Sequence, residues 1–156
     1  MRVFSAWLVP AFLSAALGVC AGQPANLTGT WHLNVAKSHW GSKPKPASVV
    51  LQIQHQEPAL QYSGTVTEAN EDGRSFTFTG AIDGKSYPMT GALGAGTAVL
   101  KRVDAATYET VFRSDDGTRK ETARTSLSRN GRYLTRRIRL ETPGDTKTWT
   151  EVYERR

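Results

Sequence analysis

The chain has 156 residues, of which 38% are hydrophobic, and it carries a formal net charge of +6 at pH 7. This length suits one domain with a single core and is too short for two domains with separate hydrophobic cores. The single cysteine, Cys20, excludes an internal disulfide framework. The positive charge is modest and is interleaved with acidic residues, so we do not expect nucleic acid as a partner.

The first residues have the layout of a secretory signal peptide. Arg2 supplies a positive start, an apolar run follows it, and small residues surround Ala21. We therefore predict a signal peptide over residues 1–21 and a mature chain over residues 22–156, exported to the periplasm or beyond the cell. The apolar run has only about 17 residues and is interrupted by Pro10, which argues against a retained membrane-spanning helix.

Cys20 leaves an alternative for the location of the mature chain. The stretch LGVC resembles a bacterial lipobox, in which the cysteine is lipidated and becomes the first mature residue. Val19 stands where that motif normally has glycine, alanine or serine. The sequence therefore favours export without a lipid anchor, with lipidation of Cys20 as the alternative.

From Leu27 onward, apolar and polar residues alternate with the period of two that is typical of half-buried β-strands. In TWHLNV, for example, Trp31 and Leu33 lie on one face and His32 lies on the other. About ten such segments follow one another, and short turns with Asp-Gly or Asn-Gly pairs separate them. Glycine and asparagine adopt the positive φ of such turns at low cost, so the turns predict hairpins.

Successive hairpins predict an antiparallel up-and-down meander. A sheet of about ten strands that closes on itself pairs the edge groups that an open sheet leaves free. We therefore predict an all-β protein whose single domain, residues 22–156, is an antiparallel up-and-down β-barrel of about ten strands. A two-sheet sandwich is the alternative architecture.

One segment, Ala36 to Ser48, departs from the strand pattern. Its glycine and two prolines predict an irregular loop at one end of the barrel. A loop of this length often acts as a lid or a binding loop, and Trp40 within it is alternatively a plug for the bottom of the barrel. The sequence slightly favours the plug.

Both ends of the mature chain resemble the calycin superfamily, which groups lipocalins with the intracellular fatty-acid-binding proteins. LTGTWHL near the start and TEVYERR at the finish are similar to the G-T-W and V-Y-E-R stretches of fatty-acid-binding proteins. The resemblance implies a calycin-like barrel whose base is closed by Gly29 and Trp31, with the cation of Arg155 lying on the indole face. The chain also resembles small exported bacterial proteins that are described only as lipocalin-like.

The chain departs from the pattern of fatty-acid-binding proteins in two places. The proline-rich loop replaces the helix-turn-helix lid that follows their first strand. Their best-studied members bind a carboxylate with an arginine two residues before the last-strand tyrosine, whereas here Glu151 stands two residues before Tyr153. The resemblance therefore does not carry their carboxylate site to this chain.

Residues predicted to face the barrel interior form a candidate ligand site. Arg136 interrupts an otherwise apolar strand face, and a buried arginine needs a partner, which Glu151 could supply. The alternatives are a structural ion pair, an outward-facing Arg136, or a site in which Arg136 and Tyr153 bind a polar ligand head. The predicted lining consists of the interior aromatic residues and this arginine: Tyr62, Phe76, Phe78, Tyr87, Phe112, Arg136, Trp149 and Tyr153. These side chains either line an apolar cavity or fill the barrel completely.

The sequence predicts no catalytic residue, cofactor or metal site. It has no G-x-S-x-G motif and no P-loop, and His32, His39 and His55 are not placed as a shared ligand set. We therefore predict a binding protein for a small hydrophobic or amphipathic molecule rather than an enzyme. The alternative is a cavity-free envelope protein whose arginine-rich C-terminal third meets an anionic polymer.

Overall fold

The computed structural model describes residues 24–68, 73–91 and 94–156. The predicted signal peptide and Cys20 lie outside the described residues, so export and the alternative of lipidation stay predictions. Within the described residues, no helix has the length and hydrophobicity that a membrane crossing requires.

Ten strands make up the fold, and the described residues contain no helix. The strands are β1 (Gly29–Leu33), β2 (Ser48–Gln56), β3 (Ala59–Thr67), β4 (Arg74–Ala81), β5 (Ser86–Gly91), β6 (Gly94–Asp104), β7 (Thr107–Ser114), β8 (Lys120–Leu127), β9 (Tyr133–Thr142) and β10 (Asp145–Arg155). Each strand is antiparallel to its neighbours in the chain, and β1 pairs with both β2 and β10 to close a barrel. The predicted all-β, up-and-down barrel is therefore confirmed, and the two-sheet sandwich is excluded.

The first and last strands close the barrel through a short antiparallel ladder. Trp31 lies opposite Arg155, and Leu33 lies opposite Tyr153. On its other side, Trp31 lies opposite Leu51 of β2. Because β1 is shorter than β10, the chain that follows β1 covers the next part of the β10 edge through hydrogen bonds from Asn34 to Val152 and between His39 and Thr150.

The hairpin turns have the chemistry that their sequences predict. Four turn glycines adopt φ between 68° and 79°, in the left-handed region that a side chain disfavours: Gly84, Gly117, Gly131 and Gly144. Asp116 stabilises the turn after β7, since its carboxylate accepts hydrogen bonds from the hydroxyls of Ser114 and Thr118. The Ser114 hydroxyl and the Thr118 donors lower the pKa of Asp116 to about 2.

The barrel interior has two packed regions. We call the end where β1 begins the base and the opposite end, where β10 begins, the mouth. The larger cluster of buried side chains surrounds Trp31 and extends from the base through Leu60, Phe78 and Leu134. A smaller cluster near the mouth contains Trp40, Ala123, Ile138 and Trp149. An unfilled space lies between the two clusters and is bordered by side chains of both.

Candidate functional site

The base of the barrel is closed by a tryptophan and an arginine. The Cζ atom of Arg155 lies 4.5 Å from the ring centroid of Trp31, and the indole Nε1 donates a hydrogen bond to the Leu27 carbonyl at 2.9 Å. Gly29 adopts a φ of 146°, a conformation that L side chains rarely adopt, and the Arg155 side chain passes beside it. The structure thus brings together Gly29, Trp31 and Arg155, the three residues of the end motifs.

A buried histidine adds to this closure. The Leu27 N–H donates a hydrogen bond to Nδ1 of His55 at 3.2 Å, and Nε2 lies 2.7 Å from a carboxylate oxygen of Glu57. Because Nδ1 is an acceptor here, the neutral ring carries its proton on Nε2 and donates it to Glu57. His55 is therefore engaged in holding the segment before β1 against the base.

Nearer the mouth, the barrel encloses a cavity of about 160 Å³. Its apolar lining comes from β2 to β5, β7 and β9: Val49, Val66, Phe76, Met89, Phe112, Ile138 and Leu140. Its charged lining comes from the first loop and from β8 to β10: Lys43, Glu121, Arg136 and Glu151. Tyr62, Thr110, Trp149 and Tyr153 add hydroxyl and indole N–H groups to the lining. The side chains therefore do not fill the barrel, and the remaining space combines apolar side chains with a cluster of charged groups.

Six of the eight predicted lining residues border this cavity: Tyr62, Phe76, Phe112, Arg136, Trp149 and Tyr153. The structure places Phe78 and Tyr87 nearer the base, away from the cavity. Phe78 is buried and stacks on Tyr62 at a centroid distance of 5.2 Å, while the Tyr87 hydroxyl donates a hydrogen bond to Asp83 at 2.9 Å. Alternation in the sequence assigns a residue to the inner face, but it does not give its height along the barrel axis.

Arg136 points into the barrel and lies between two carboxylates, so the outward register is excluded. Its Nη1 is 3.3 Å from a carboxylate oxygen of Glu151, which is its opposite partner in the β9–β10 ladder. Its Nη2 is 3.5 Å from a carboxylate oxygen of Glu121 on β8. The partner Glu151 was identified from the sequence, whereas Glu121 was missed. The alternation of KETARTSL, which places Glu121 on one face with Ala123, was a signal for it.

Glu151 receives further hydrogen bonds from its own strand. The indole Nε1 of Trp149 donates to one carboxylate oxygen at 2.8 Å, and the Tyr153 hydroxyl donates to the other at 2.8 Å. Burial, together with the neighbouring charge of Glu151, raises the pKa of Tyr153 well above its usual value, so this hydroxyl remains a donor. Three donors therefore hold Glu151 in place, as a buried carboxylate requires.

Glu121 is less fully paired than Glu151. Burial raises the pKa of Glu121, and the nearby Arg136 guanidinium opposes that rise. The Glu121 side chain borders the cavity and is 18% exposed. A carboxyl group in this position offers an acceptor when ionised and a donor when protonated, so it is available to a ligand in either form.

The loop between β1 and β2 covers part of the mouth. Two backbone hydrogen bonds between His39 and Thr150, of 2.8 and 2.7 Å, hold the loop to β10. Trp40 is buried against the mouth cluster, so it packs as a plug, but at the mouth rather than at the base. Lys43 Nζ lies 4.9 Å from the Trp149 ring centroid and 4.0 Å from a carboxylate oxygen of Glu151. No signal in the sequence indicated the role of Lys43, because a loop has no period from which direction can be read.

The arginines of the C-terminal third do not all lie on one surface. Arg136 lies inside the barrel and Arg155 lies across the base, which removes both from the face that the sequence grouped together. Residues 24–68, 73–91 and 94–156 contain no group of three or more metal-ligating side chains placed to hold an ion.

No protein-family model matches this sequence, and no curated protein sequence matches it either. Solved structures with a similar fold do exist. The crystal structure of Rv2717c from M. tuberculosis matches with a TM-score of 0.51 and 14% sequence identity, over 83% of this chain and 92% of that chain. At this identity, the match establishes a shared barrel fold and nothing about function.

Proposed function

We propose that this protein is an exported, calycin-like binding protein that holds a small amphipathic molecule in its barrel cavity. The observation that carries the proposal is a barrel cavity lined by apolar side chains together with a cluster of charged groups on β8, β9 and β10. Ligand sites are typically concave and mostly apolar, with a few polar groups that fix orientation. The Trp31–Arg155 closure at the base supports the resemblance to calycins that the end motifs suggest.

The cavity volume restricts the size of the ligand. An engineered cavity of about 150 Å³ in another protein holds one benzene molecule. A space of about 160 Å³ therefore accommodates a single ring or a short branched chain. A long acyl chain would have to leave the cavity through the mouth, so we favour a compact ligand.

The charges that line the cavity restrict which polar group the ligand can carry. Arg136 is already paired with Glu121 and Glu151, and Lys43 lies near the mouth beside Glu151. A second full charge brought into this balanced set would need its own counter-ion. A ligand with a neutral polar group, such as a phenol, an amide or a protonated acid, needs none. Such a group accepts a hydrogen bond from Arg136 or exchanges one with Glu121.

Native mass spectrometry tests the proposal. The protein is expressed from its full coding sequence and purified without detergent, and its mass is measured before and after denaturation. We expect a reproducible extra mass of a small molecule that is released on denaturation. A bare polypeptide mass that stays unchanged after incubation with a panel of single-ring phenols, amides and acids would contradict the proposal.

A matched pair of substitutions locates the binding site. Val66 borders the cavity, so Val66→Phe fills part of it and should abolish binding. Val111 lies between the inward residues Thr110 and Phe112 and faces outward, so Val111→Phe makes the same chemical change outside the barrel. Equal loss of binding in both variants would place the site elsewhere.

The same mass spectra test export. Cleavage after Ala21 gives a chain that begins at Gly22, whereas a lipidated chain begins at Cys20 and carries the added mass of its acyl groups. We expect the mass of the chain that begins at Gly22. A full-length mass with Met1 retained would contradict the proposed signal peptide.

A further inference from the structure

The outer wall of the barrel carries a basic depression that the cavity does not explain. It has a volume of about 680 Å³ and lies over β8, β9 and β10, with His39 and Gly41 of the first loop at its rim. Four cations and one carboxylate line it: Lys120, Arg124, Arg137, Arg139 and Glu141. We call this surface the basic groove.

Two of these arginines lie side by side without an ion pair. Arg124 on β8 is the opposite partner of Arg137 on β9, and both side chains are exposed. Among the described residues, no carboxylate oxygen lies within 4 Å of either guanidinium. Two acidic residues are nearby, since Glu109 of β7 is opposite Arg124 and the pKa of Asp104 is lowered chiefly by the hydrogen bond from the Ala106 N–H and also by the charge of Arg124. Like charges directly opposite each other destabilise a sheet, so this pair costs stability unless an anion lies between them.

The other two cations of the basic groove share one carboxylate. Arg139 Nε is 2.7 Å from Glu141, and Lys120 Nζ is 3.5 Å from the same carboxylate. Arg137 and Arg139 are two positions apart on β9, so their Cα atoms are about 7 Å apart along the strand. The four cations and one carboxylate of the basic groove give it a net charge of +3. The cations lie in a row, at a spacing suited to a chain that carries repeated negative groups.

The polar residues of the basic groove favour a sugar chain. Thr122, Thr148 and Thr150 line it, and their hydroxyl groups both donate and accept hydrogen bonds, as sugar hydroxyls require. Its tryptophan, Trp149, is only 7% exposed, so the His39 imidazole is the one exposed ring that the groove offers for stacking of nucleic-acid bases. The one large hydrophobic side chain exposed in the described residues is Val103, outside the groove, so no apolar face is offered to a membrane.

We propose that the basic groove binds an acidic polysaccharide, with Arg124 and Arg137 together holding one of its carboxylate or sulfate groups. Guanidinium groups suit this role because they make charge-assisted, two-point hydrogen bonds with planar carboxylates. The groove shares the lining residues Ile138 and Trp149 with the cavity, but none of its charged residues borders the cavity, so its charge does not depend on the proposed small-molecule ligand. In an exported protein it would hold the barrel at an acidic extracellular or envelope polymer.

Binding of alginate, a carboxylated polysaccharide, tests the inference directly. Isothermal titration calorimetry of the purified protein should detect binding at about 20 mM salt and much weaker binding at about 200 mM salt, because salt screens exposed charges. Uncharged dextran should not bind. Arg124→Gln/Arg137→Gln should weaken alginate binding roughly tenfold or more, since two of the groove's cations are lost.

A control variant separates the basic groove from the overall charge. Arg74→Gln/Lys85→Gln also removes two positive charges, one from β4 and one from the turn before β5. β4 is five strands from β9 in either direction around the ten-stranded barrel. We expect this variant to bind alginate as the parent does.

Three results would overturn the inference. One is the absence of alginate binding at low salt, with heparin also failing to bind. Another is an equal loss in the two double variants, which would indicate attraction by net charge alone. The third is preferential binding of RNA or of vesicles that contain anionic lipid over both polysaccharides. The cavity test by mass spectrometry is independent of all three.

Discussion

The guanidinium of Arg155 lies on the indole ring of Trp31, and these two residues are directly opposite each other where the last strand pairs with the first. The contact therefore joins the two ends of the described barrel at the ring that seals its base. Trp31 is fully buried whereas Arg155 is exposed, so the guanidinium lies between this ring and the solvent at the base. A cation that covers an aromatic ring in this way stabilises the closed barrel and excludes water from the core.

A double-mutant cycle measures the strength of this contact. Arg155→Ala should lower the free energy of unfolding, and it should do so much less when Trp31 is already replaced by Leu. We expect a coupling energy of about 0.5–2 kcal/mol from urea denaturation, because the ring is buried and the cation is near the surface. Arg156→Ala, one residue further on, is the control and should change stability little. Additive losses at Trp31 and Arg155 would mean that the cation and the ring do not interact.

Removal of Arg136 should be strongly destabilising. Arg136→Met leaves the carboxylates of Glu121 and Glu151 with only the partly exposed Lys43 as a counter-ion, and breaking a buried pair costs up to roughly 3–5 kcal/mol. In Arg136→Met/Glu121→Gln/Glu151→Gln, the charges of all three residues are removed, and Lys43 is exposed enough to be solvated. The amide that replaces the Glu151 carboxylate still accepts from Trp149 or Tyr153 through its carbonyl oxygen. We expect the triple variant to recover most of the lost free energy of unfolding. A triple variant that is less stable than Arg136→Met would show that the carboxylates are needed for some other reason.

The buried position of Glu121 predicts a specific pH dependence. Because its pKa is raised in the folded protein, its favourable contribution is complete below its usual pKa of 4.5 and is lost as the pH rises through the raised value. The stability of Glu121→Gln relative to the parent should therefore increase as the pH rises above 4.5, by at most about 1.4 kcal/mol per pH unit. Urea denaturation from weakly acidic to weakly alkaline pH measures this change.

Glu141 supplies the control for that experiment. Its pKa is lowered, chiefly by the hydrogen bond from Arg139, so its contribution is present above pH 4.5 and is lost only as the pH falls through the lowered value. The stability of Glu141→Gln relative to the parent should therefore stay constant over the range in which that of Glu121→Gln changes. Parallel curves for the two variants would contradict the assigned role of burial.

Gly96 should be intolerant of even a methyl group. A Cβ atom at this position would lie 2.2 Å from the Arg113 carbonyl oxygen and 2.7 Å from the Phe112 ring. Backbone cannot move aside as a flexible side chain can, so Gly96→Ala should lower the free energy of unfolding by roughly 1–3 kcal/mol. Thr97→Ala, on the outer face of the same strand, should fall within about 0.5 kcal/mol of the parent. Thermal unfolding of both variants measures the difference, and equal midpoints would argue against close packing at Gly96.

The inward or outward face of a strand residue and the positions of the turns were predictable from the sequence, because both depend on residues close together in the chain. The alternation of TWHLNV assigns Trp31 to the interior, and a turn glycine such as Gly131 marks where a strand ends. Each depends on residues a few positions apart, where the period of a strand and the allowed φ of glycine decide the outcome. The pairing of Arg136 with Glu151 was also predictable, since neighbouring hairpin strands place their inward residues opposite each other.

The cavity, its cluster of charged lining residues and the basic groove were not predictable from local sequence patterns. Glu121 and Lys43 meet the Arg136–Glu151 pair only because the barrel closes and the first loop folds over the mouth. Arg124 and Arg137 share an outer surface because β8 and β9 pair in one register, and a shift by one residue would place one of them inside.

By itself, the sequence determined the class of the fold, the order of the strands and the face on which most side chains lie, because these follow from local periodicity and turn chemistry. Only the tertiary structure decided how far each ring lies from the base, and therefore that Tyr62 borders the cavity while Phe78 packs beneath it. It also decided that about 160 Å³ inside the barrel stays unfilled. The physical reason is that height, cavity volume and charge pairing depend on strand register and closure, which are properties of the whole barrel.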